Sequence, residues 1–463
     1  VAGIYWYDAA LDPKIQHAVS EPYGLEKILA VAQQEGHEVD LFLPLEQTNG
    51  ELAAISKEEV IERVMDFNPD IACFSLYTCQ YPAGKRIAAE LKKIKPKMIT
   101  VAGNRYPSYL GAKNKRAESP FDFFIVNEGE ETFLNLLKKD YFNEKSVLAS
   151  PSLGMRIKDL DSYPLAFRHP LVLEQIYLGI SLPPLSAQPH YALMEYSRGC
   201  PGVCKFCDNQ QVWNGKLTFR SPERVVEEMF QLQKRGVDIF YFIDLNFTAS
   251  HHKAEQLCNE MLNRGLKAHW YAMSNIETLD GKRDLLALMK EAGCYKIAWG
   301  IESTSNASLR KMDKKISGKI MRAEQAQRVL ENSLQAGMLN QGYYIIGFPW
   351  ENAGSIIRDA EGLKHLPLHQ LNVGIFTPIP LSGFYSEEME LNSDLEKHDR
   401  NHLVYKHLSL TNKSVKIIQN QMHRDFYSSP EYLTRVKESC RIEPRFKQAF
   451  NDYFEHFNEE VHI

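Results

Sequence analysis

Strand-like and helix-like segments alternate along most of this chain, and the alternation limits the folds open to it. Over residues 1–140, apolar runs such as "DIACFSLYT" follow amphipathic segments such as "YGLEKILAVAQQEG". From residue 191 the alternation resumes and runs through about six further units to residue 380. Near-continuous apolar runs are typical of buried parallel strands. Repeated β-α units therefore predict parallel sheets covered by helices.

We accordingly predict an α/β protein with two sheets. Residues 1–145 are expected to form a doubly wound, flavodoxin- or Rossmann-like domain, and residues 189–385 a partial (β/α)6 TIM-like barrel. Residues 146–188, rich in Pro and Ser, are predicted to be a linker, and residues 386–463 a mainly helical C-terminal region. Ligands are expected beyond the C-terminal ends of the strands in both sheets.

Three cysteines follow the first strand of the predicted barrel, in "YSRGCPGVCKFCDNQ": Cys200, Cys204 and Cys207. A structural zinc site usually has four ligands, and no fourth cysteine follows nearby. The histidines that could supply a fourth ligand have no favourable spacing: His251, His252 and His269. A haem attachment site would need CxxCH, which is absent. An iron–sulfur cluster with one iron left open for a substrate fits three thiolates best.

The remaining cysteines are scattered in apolar or helical contexts that suit buried small side chains: Cys73, Cys79, Cys258, Cys294 and Cys440. Eight cysteines in 463 residues do not indicate a disulfide scaffold. The N-terminus has no basic and then apolar leader, so a cytoplasmic location is expected. A net charge of −5 with interspersed signs argues against nucleic-acid binding. No run approaches the ~18 apolar residues of a membrane span.

In this β/α context, the C-x3-C-x2-C loop resembles that of the radical S-adenosylmethionine enzymes. The resemblance implies that Cys200, Cys204 and Cys207 hold a [4Fe-4S] cluster. Its open iron would chelate S-adenosylmethionine, and an electron from the cluster would release a 5′-deoxyadenosyl radical. A flavodoxin- or ferredoxin-like electron donor is implied as a partner.

Later strand ends resemble other motifs of that family. They are "YFIDLNFT" (241–248), "WGIES" (299–303), "YIIGFPWEN" (344–352) and "TPIPLSGFY" (377–385), of which the last departs from the family pattern at Leu381-Ser382-Gly383. An aromatic residue, Phe206, precedes the last cysteine, where the family packs the adenine. The resemblance implies S-adenosylmethionine contacts at Phe206, Asp244, Asn246, Ser274, Glu302, Ile346, Gly347 and Pro349.

The first domain resembles the cobalamin-binding domain of the class B, cobalamin-dependent radical S-adenosylmethionine enzymes. The segments that carry this resemblance are "EPYGLEKILAVAQQEGHEVDLF", "IACFSLYTCQYPAGKRIAAELKK", "MITVAGNRYPSY" and "FDFFIVNEGEETF". The implied cobalamin contacts are Ser75, Leu76, Tyr77, Thr78, Gly103, Asn104, Tyr106, Glu128, Gly129 and Glu130. Asn104 stands where many relatives have His, and the D-x-H-x-x-G motif is absent. A cobalt face without a histidine ligand is therefore implied.

The resemblance covers roughly residues 1–385 and implies a C-methyltransferase that acts on an unactivated carbon. A 5′-deoxyadenosyl radical would abstract hydrogen, and methylcobalamin would deliver the methyl group to a small-molecule or peptide substrate. Cyclisation, rearrangement or sulfur insertion, with or without cobalamin, is the alternative radical outcome. Cys440 is a candidate catalytic thiol in that case. A non-enzymatic corrinoid or iron–sulfur sensor or carrier is a further alternative, but it would not need Asp244 or Glu302.

Overall fold

The computed structural model describes residues 1–6, 21–48, 51–113, 119–138, 156–170, 190–316 and 318–442. The chain divides into two compact units. The first comprises Val1–Gly179 and Ser393–Asp399, and the second comprises Ile180–Asn392 and Arg400–Ile463. The four predicted domain ranges stay predictions, and part of the predicted linker (146–155 and 171–188) lies outside the described residues.

The first unit is built on a parallel sheet. Its described strands are β1 (Ala2–Ile4), β2 (Asp40–Phe42), β3 (Leu45–Thr48), β4 (Glu51–Ala54), β5 (Ile71–Ser75), β6 (Ile99–Gly103) and β7 (Phe123–Phe124). Its described helices are α1 (Tyr23–Gln34), α2 (Lys57–Phe67), α3 (Tyr81–Ile94), α4 (Arg105–Ala112) and α5 (Glu130–Lys138). Five strands pair in the order β2-β1-β5-β6-β7, all parallel. The predicted doubly wound sheet is confirmed.

Local sequence explains why the helices of this unit begin and end where they do. The Ser56 hydroxyl accepts a hydrogen bond from the Glu59 N–H at the start of α2. Asn68, with φ 53°, ends the same helix in the left-handed conformation that Asn tolerates. The apolar side of α1 packs on the sheet, where Leu25 and Leu29 join the core with Val101.

The second unit is a half-barrel. Its described strands are β8 (Tyr191–Met194), β9 (Ser197–Arg198), β10 (Thr218–Phe219), β11 (Ile239–Phe242), β12 (His269–Asn275), β13 (Cys294–Glu302), β14 (Lys315–Ile316), β15 (Lys319–Ile320), β16 (Leu339–Ile346) and β17 (Gln370–Ile375). Six of them form one parallel sheet in the order β17-β16-β13-β12-β11-β8. The prediction of about six β-α units is confirmed.

Helices cover this sheet and continue into the C-terminal region. They are α6 (Asn209–Trp213), α7 (Pro222–Lys234), α8 (His251–Asn263), α9 (Ile276–Leu279), α10 (Arg283–Glu291), α11 (Asn306–Lys311), α12 (Ala323–Gln335), α13 (Ala353–His365), α14 (Asn412–Tyr427) and α15 (Pro430–Ile442). The last two lie in the predicted helical C-terminal region, of which residues 443–463 lie outside the described residues. No helix within the described ranges is long and apolar enough to cross a bilayer.

One face of the six-stranded sheet, its concave face, is open. Alternate residues in the C-terminal halves of the strands are partly exposed: Tyr241, Met273, Asn275, Gly300, Tyr343, Ile345, Asn372 and Gly374. Many of these are register partners, as in the row Asn275, Gly300, Tyr343 and Asn372. Register partners in parallel strands lie on the same face. The intervening residues are buried on the helix-covered face, where Trp299 Nε1 donates to Asn340 Oδ1.

The structure adds two features to the predicted elements. The strand predicted from residue 191 ends at Met194, and a second short strand, β9, pairs antiparallel with β10. Residues 45–54, which were not assigned a strand, contribute the antiparallel pair β3 and β4. The Asn49-Gly50 dipeptide between them is a hairpin signal in the sequence.

Candidate functional site

The cysteine loop lies directly after β9, at the C-terminal end of the half-barrel. Cys200 is buried, and Cys204 and Cys207 are partly buried. The Gly202 N–H donates to Cys200 Sγ at 3.4 Å, and the Cys207 N–H donates to the Cys204 carbonyl at 3.1 Å. A Cβ at Gly202 would lie 3.3 Å from Cys200 Sγ, so glycine is favoured at this turn.

Backbone contacts from two distant segments anchor this loop. The Lys205 N–H donates to the Met312 carbonyl at 2.9 Å, and the Phe384 N–H donates to the Lys205 carbonyl at 3.0 Å. A Cβ at Gly383 would lie 3.3 Å from the Lys205 backbone, so the two segments pack closely. The loop is therefore held in place by the half-barrel itself.

Asp244 fixes the entry to the cysteine loop. Its carboxylate accepts hydrogen bonds from the Tyr196 N–H at 3.0 Å, the Ser197 N–H at 2.6 Å and the Ser197 hydroxyl at 2.5 Å. Burial raises the pKa of Asp244 to about 7, against the opposing effect of these hydrogen bonds. Asp244 thus ties the end of β11 to the chain that leads to Cys200.

A buried cation lies beside the cysteine loop. Lys314 Nζ donates to Asn275 Oδ1 at 2.7 Å and to Glu302 Oε1 at 3.2 Å. Burial lowers the pKa of Lys314, but the charges of Glu302, Cys204 and Glu277 more than offset this, and the pKa is raised. Lys314 is therefore a permanent positive charge at the mouth of the half-barrel.

Glu277 faces the same cation without a direct partner. Both of its carboxylate oxygens are buried, and neither has a hydrogen-bond partner among the described residues. Burial raises the pKa of Glu277, and Lys314 opposes that shift. A buried carboxylate without partners is costly unless a ligand supplies them. Together with Lys314, Asn275 and Glu302, it forms what we call the mouth cluster.

The backbone leaves room for this cluster. Glu302 has φ 64°, at a register shift between β13 and β16. A Cβ at Gly300 would lie 2.7 Å from Glu302 Oε1 and 2.9 Å from Lys314 Nζ. Any side chain at position 300 would displace the Lys314–Glu302 ion pair.

The cysteine loop fits an iron–sulfur cluster better than a single metal ion. Among the residues that the structure describes, no three His, Cys, Asp or Glu side chains converge where one ion could sit. A four-iron cluster does not need such convergence, because its thiolates bind different irons. Burial raises the pKa of Cys204 to about 11 and also raises that of Cys200. Iron, which stabilises the thiolate, offsets that cost.

Three other predicted S-adenosylmethionine contacts have partners within the protein. Ser274 lies on the buried face of β12, where its hydroxyl accepts from Thr248 Oγ1 at 3.1 Å. Asn246 Oδ1 accepts from the Asn275 N–H at 3.2 Å, and the Asn246 Nδ2 is buried with no partner in the described chain. Phe206 packs on an aromatic cluster with Phe348 at 6.4 Å between ring centroids.

The predicted contacts after β16 form a braced turn. The Gly347 N–H donates to Glu351 Oε2 at 2.7 Å, and the Gly347 carbonyl accepts from the Tyr405 hydroxyl at 2.6 Å. Ile346 is buried, and its carbonyl accepts from the Phe376 N–H at 2.8 Å. Pro349 is exposed. The backbone groups of Gly347 are thus engaged within the protein.

The predicted cobalamin residues of β5 and β6 meet at the C-terminal edge of the first unit's sheet. Asn104 Nδ2 donates to Ser75 Oγ at 3.0 Å, and Asn104 has φ 83°. Gly103 is partly exposed, and a Cβ there would meet nothing closer than 3.8 Å. Tyr77 is 50% exposed on the same edge. This edge is open and polar, as a corrin and its nucleotide tail require.

The other predicted cobalamin residues support that edge from within. The Leu76 N–H donates to the Gly103 carbonyl at 3.0 Å, and the Tyr106 N–H donates to the Leu76 carbonyl at 3.3 Å. Thr78 and Glu130 are buried. The predicted residues of the edge also include Gly129, where a Cβ would lie 2.8 Å from Ile28 Cδ1.

Glu128 contacts protein rather than open space. Its Oε2 accepts from the Ile157 N–H at 2.9 Å and from Arg156 Nε at 3.2 Å. The carboxylate therefore fastens the segment that begins at residue 156 to the sheet edge. Cys440 lies far along the chain on α15, which packs on α13 and α14.

Three members of the mouth cluster were missed in the sequence: Asn275, Glu277 and Lys314. Lys314 lies in "RKMDKKISGK", a run whose charges look like an ordinary solvated loop. Glu277 follows the end of β12 by two residues. A carboxylate at the C-terminal end of a barrel strand is the sequence feature that could have indicated a site residue there.

Two family models match the chain. Residues 17–137 match the B12 binding domain, and residues 194–376 match the radical SAM superfamily. An uncharacterized methyltransferase of Pyrococcus horikoshii is 23% identical over 432 residues, which cover 89% of this chain and 89% of that protein. An anaerobic magnesium-protoporphyrin IX monomethyl ester cyclase of Rubrivivax gelatinosus is 24% identical over 72% of this chain and 61% of that protein.

A similar fold occurs among solved structures. The radical S-adenosylmethionine methyltransferase TsrM from Kitasatospora setae, solved with cobalamin and a [4Fe-4S] cluster, has a TM-score of 0.64 and 12% sequence identity. The match covers 93% of this chain and 89% of that one. The predicted combination of a doubly wound domain with a half-barrel is thus an arrangement found in a solved protein.

Proposed function

This chain belongs to the cobalamin-dependent radical S-adenosylmethionine enzymes, and from that premise we propose that it transfers a methyl group to an unactivated carbon of a small-molecule or peptide substrate. The observation that carries the proposal is the placement of the cysteine loop beside the mouth cluster. The cysteine thiols that could hold a cluster lie there together with a lysine and a carboxylate, which could bind the carboxylate and amino groups of an amino acid. An open polar sheet edge without histidine lies in the cobalamin-binding domain.

The cluster would be held by Cys200, Cys204 and Cys207. When bound, the cluster and S-adenosylmethionine supply a carbon radical, and cobalamin supplies a transferable methyl group. The Gly202 N–H···S hydrogen bond and the Lys314 charge would stabilise the thiolates. Asp244 would position the loop that carries them.

The mouth cluster would bind the amino-acid end of S-adenosylmethionine. Its carboxylate would pair with the Lys314 ammonium, and its amino group would donate hydrogen bonds to the Glu277 carboxylate, whose oxygens have no partner in the described chain. Each pair would be desolvated, so each would add to affinity and orientation. Glu302 and Asn275 hold Lys314 in position through its hydrogen bonds to their side chains.

Cobalamin would be bound at the edge formed by Ser75, Tyr77 and Asn104. The loops 75–80, 102–110 and 127–131 contain no histidine. The side chains at this edge would therefore hold cobalamin without supplying a histidine, and the cofactor would supply a transferable methyl group. The Ser75–Asn104 hydrogen bond would preorganise the edge.

Relatives favour methyl transfer and also supply the second candidate. They include a cytidylyl-2-hydroxyethylphosphonate methyltransferase of Streptomyces wedmorensis, 24% identical over 73% of this chain, and a hopanoid C-3 methylase of Methylococcus capsulatus, 25% identical over 64%. The cyclase of Rubrivivax gelatinosus supports radical ring closure as the second candidate function.

The test uses the full chain, reconstituted anaerobically with iron, sulfide and hydroxocobalamin. S-adenosylmethionine with a deuterated methyl group is supplied together with dithionite as reductant and a pool of cellular metabolites and peptides. Methyl transfer is expected to yield S-adenosylhomocysteine and 5′-deoxyadenosine in equal amounts and a deuterated product. Formation of 5′-deoxyadenosine alone, with no deuterium in any product, would favour the cyclase candidate instead.

A further inference from the structure

The concave face of the half-barrel carries a row of side chains below the mouth cluster. Tyr241 of β11, Tyr271 of β12, Lys296 of β13 and Leu339 of β16 are register partners in sequence across the sheet. This row lies two positions nearer the strand N-termini than Met273, and four nearer than Asn275. At about 3.3 Å per residue, it lies at the floor of the open face.

Three of these side chains form a column. The rings of Tyr241 and Tyr271 are stacked, with centroids 4.3 Å apart and 6° between their planes. Lys296 Nζ lies 4.0 Å from the centroid of the Tyr271 ring. A cation over a tyrosine face is attracted by the ring, but this contact does not replace a counter-ion.

Lys296 has no acidic partner in the described parts of the chain. It is 0% exposed, and its Nζ has no hydrogen-bond partner there. Burial lowers the pKa of Lys296 to about 7, so an anion brought near it would favour the charged form. The floor of the concave face is therefore short of negative charge.

The acidic groups near this face are already engaged. Asp244 is bonded to Tyr196 and Ser197, and Glu302 is paired with Lys314. They do not compensate Lys296 when it is protonated. An anionic ligand is the partner that the floor lacks.

Hydrogen-bonding groups line the face above Lys296. Tyr241 and Tyr343 are both partly exposed there, and the pKa of Tyr241 is raised mainly by burial and then by the nearby Tyr343 hydroxyl. Gln341 Nε2 donates to the Tyr343 hydroxyl at 3.4 Å, and Asn372 is the register partner of Tyr343. Hydroxyl and amide groups of this kind suit a polar ligand rather than a hydrocarbon.

We propose that the concave face binds the substrate through an oxyanion group, a carboxylate or a phosphate, held by the hydroxyl groups of Tyr241 and Tyr343 over the charge of Lys296. Lys296 lies behind the Tyr271 ring, so it acts on the anion through its field rather than by direct contact. The assignment of this face to the substrate rests on the proposed function. The binding of an oxyanion there does not.

The test is calorimetric titration of the cluster-reconstituted full chain with four small probes: benzoate, phenyl phosphate, benzamide and benzylamine. Benzoate or phenyl phosphate is expected to bind saturably at one site. Benzamide is expected to bind with an affinity lower by about tenfold or more, and benzylamine is expected not to bind. The stronger of the two anions identifies the oxyanion as carboxylate or phosphate. Absence of saturable binding by both, or equal binding of benzamide, overturns the proposal.

Variants locate the site. Lys296→Met is expected to raise the dissociation constant of the anion about tenfold. Tyr241→Phe, which keeps the stacked rings, is expected to raise it several-fold. Lys234→Met, on the exposed surface of α7, is the control and should bind as the wild type does. Unchanged binding by both Lys296→Met and Tyr241→Phe overturns the proposal even if one variant is unstable. Cleavage of S-adenosylmethionine by the same wild-type sample reports separately on the proposed function.

Discussion

The Asp244 carboxylate binds both the backbone N–H and the hydroxyl of Ser197, at 2.6 Å and 2.5 Å. Ser197 lies three residues before Cys200, so a strand-end carboxylate on β11 sets the path of the cysteine loop. Asp244 is thereby a positioning residue, which differs from a direct contact with S-adenosylmethionine.

Asp244→Asn should loosen the loop without unfolding the half-barrel. A hydrogen bond to a charged group contributes about 1.5–3 kcal/mol, and the amide would present N–H groups to donors. We expect the reconstituted variant to lose most of its iron, measured together with the cluster absorbance. Asp238→Asn is the control, because the Asp238 carboxylate accepts from the His190 N–H at the other end of the same strand. Full iron in Asp244→Asn would contradict the positioning role.

Replacing Cys200, Cys204 or Cys207 singly with Ala should abolish S-adenosylmethionine cleavage, because three thiolates leave none to spare. The readout is 5′-deoxyadenosine, measured by chromatography after reduction with dithionite. Cys440→Ala is the matched control and should retain cleavage and methyl transfer. Loss of product with cleavage intact in that control would instead support the catalytic-thiol interpretation of Cys440.

Glu277→Gln should weaken S-adenosylmethionine binding while the protein stays folded. Loss of one charge-assisted pair is expected to raise KM about tenfold or more. Lys314→Met should have a larger effect, because Glu302 and Glu277 would lose their shared cation. Lys315→Met is the neighbouring control, since Lys315 pairs with Asp313 at 3.0 Å and is partly exposed. An unchanged KM in Glu277→Gln would argue against the mouth cluster as the binding site.

Lys296→Met should raise the free energy of unfolding at neutral pH, and this increase should become smaller as the pH rises. The Lys296 pKa is lowered from 10.5 to about 7, so the unfolded chain binds more protons between these values. The free energy of unfolding of the wild type therefore rises with pH between these two pKa values, by up to about 1.4 kcal/mol per pH unit. Urea unfolding of wild type, Lys296→Met and Lys234→Met at pH 7.5 and 9.5 tests this. A gain that does not change with pH would contradict it.

Asn104→Gly should reduce cobalamin retention. Glycine keeps the positive φ of 83° but removes the hydrogen bond to Ser75. A lost hydrogen bond of this kind is worth about 1 kcal/mol, so bound corrin is expected to exchange several-fold faster. Bound corrin is read from its absorbance after desalting. Ser75→Ala should have a smaller effect in the same direction, because Asn104→Gly also removes the hydrogen bond from the Arg105 N–H to Asn104 Oδ1. The double variant should add little to Asn104→Gly, because the Ser75–Asn104 hydrogen bond is already lost in it.

The alternation of strands and helices was predictable from the sequence because apolar runs alternate with amphipathic helical segments. The side on which a strand-end residue lies was harder to predict. Ser274 was predicted at the cofactor site, but it lies on the buried face, while its neighbour Asn275 lies in the mouth cluster. A shift of one residue decides the face of the strand on which a side chain lies.

Lys314 could not be predicted because its role depends on contacts distant in sequence. Only the folded half-barrel brings it within 2.7 Å of Asn275. The column of Tyr241, Tyr271 and Lys296 could not be predicted either. Nothing in "CYKIAWGIES" indicates whether its lysine is buried or exposed.

Residues Ser393–Asp399 belong to the first unit, although they lie more than two hundred residues beyond its main part, and Glu396 pairs with Arg86 at 2.8 Å. A gene fragment cut after residue 179 would therefore encode an incomplete first unit, missing the piece that contacts α3. Any single cut in the coding sequence that keeps residues 1–179 together and apart from the second unit separates this segment from its own unit. Exchange of the first unit between relatives by recombination would keep the Arg86–Glu396 pair only if the late segment were exchanged with it.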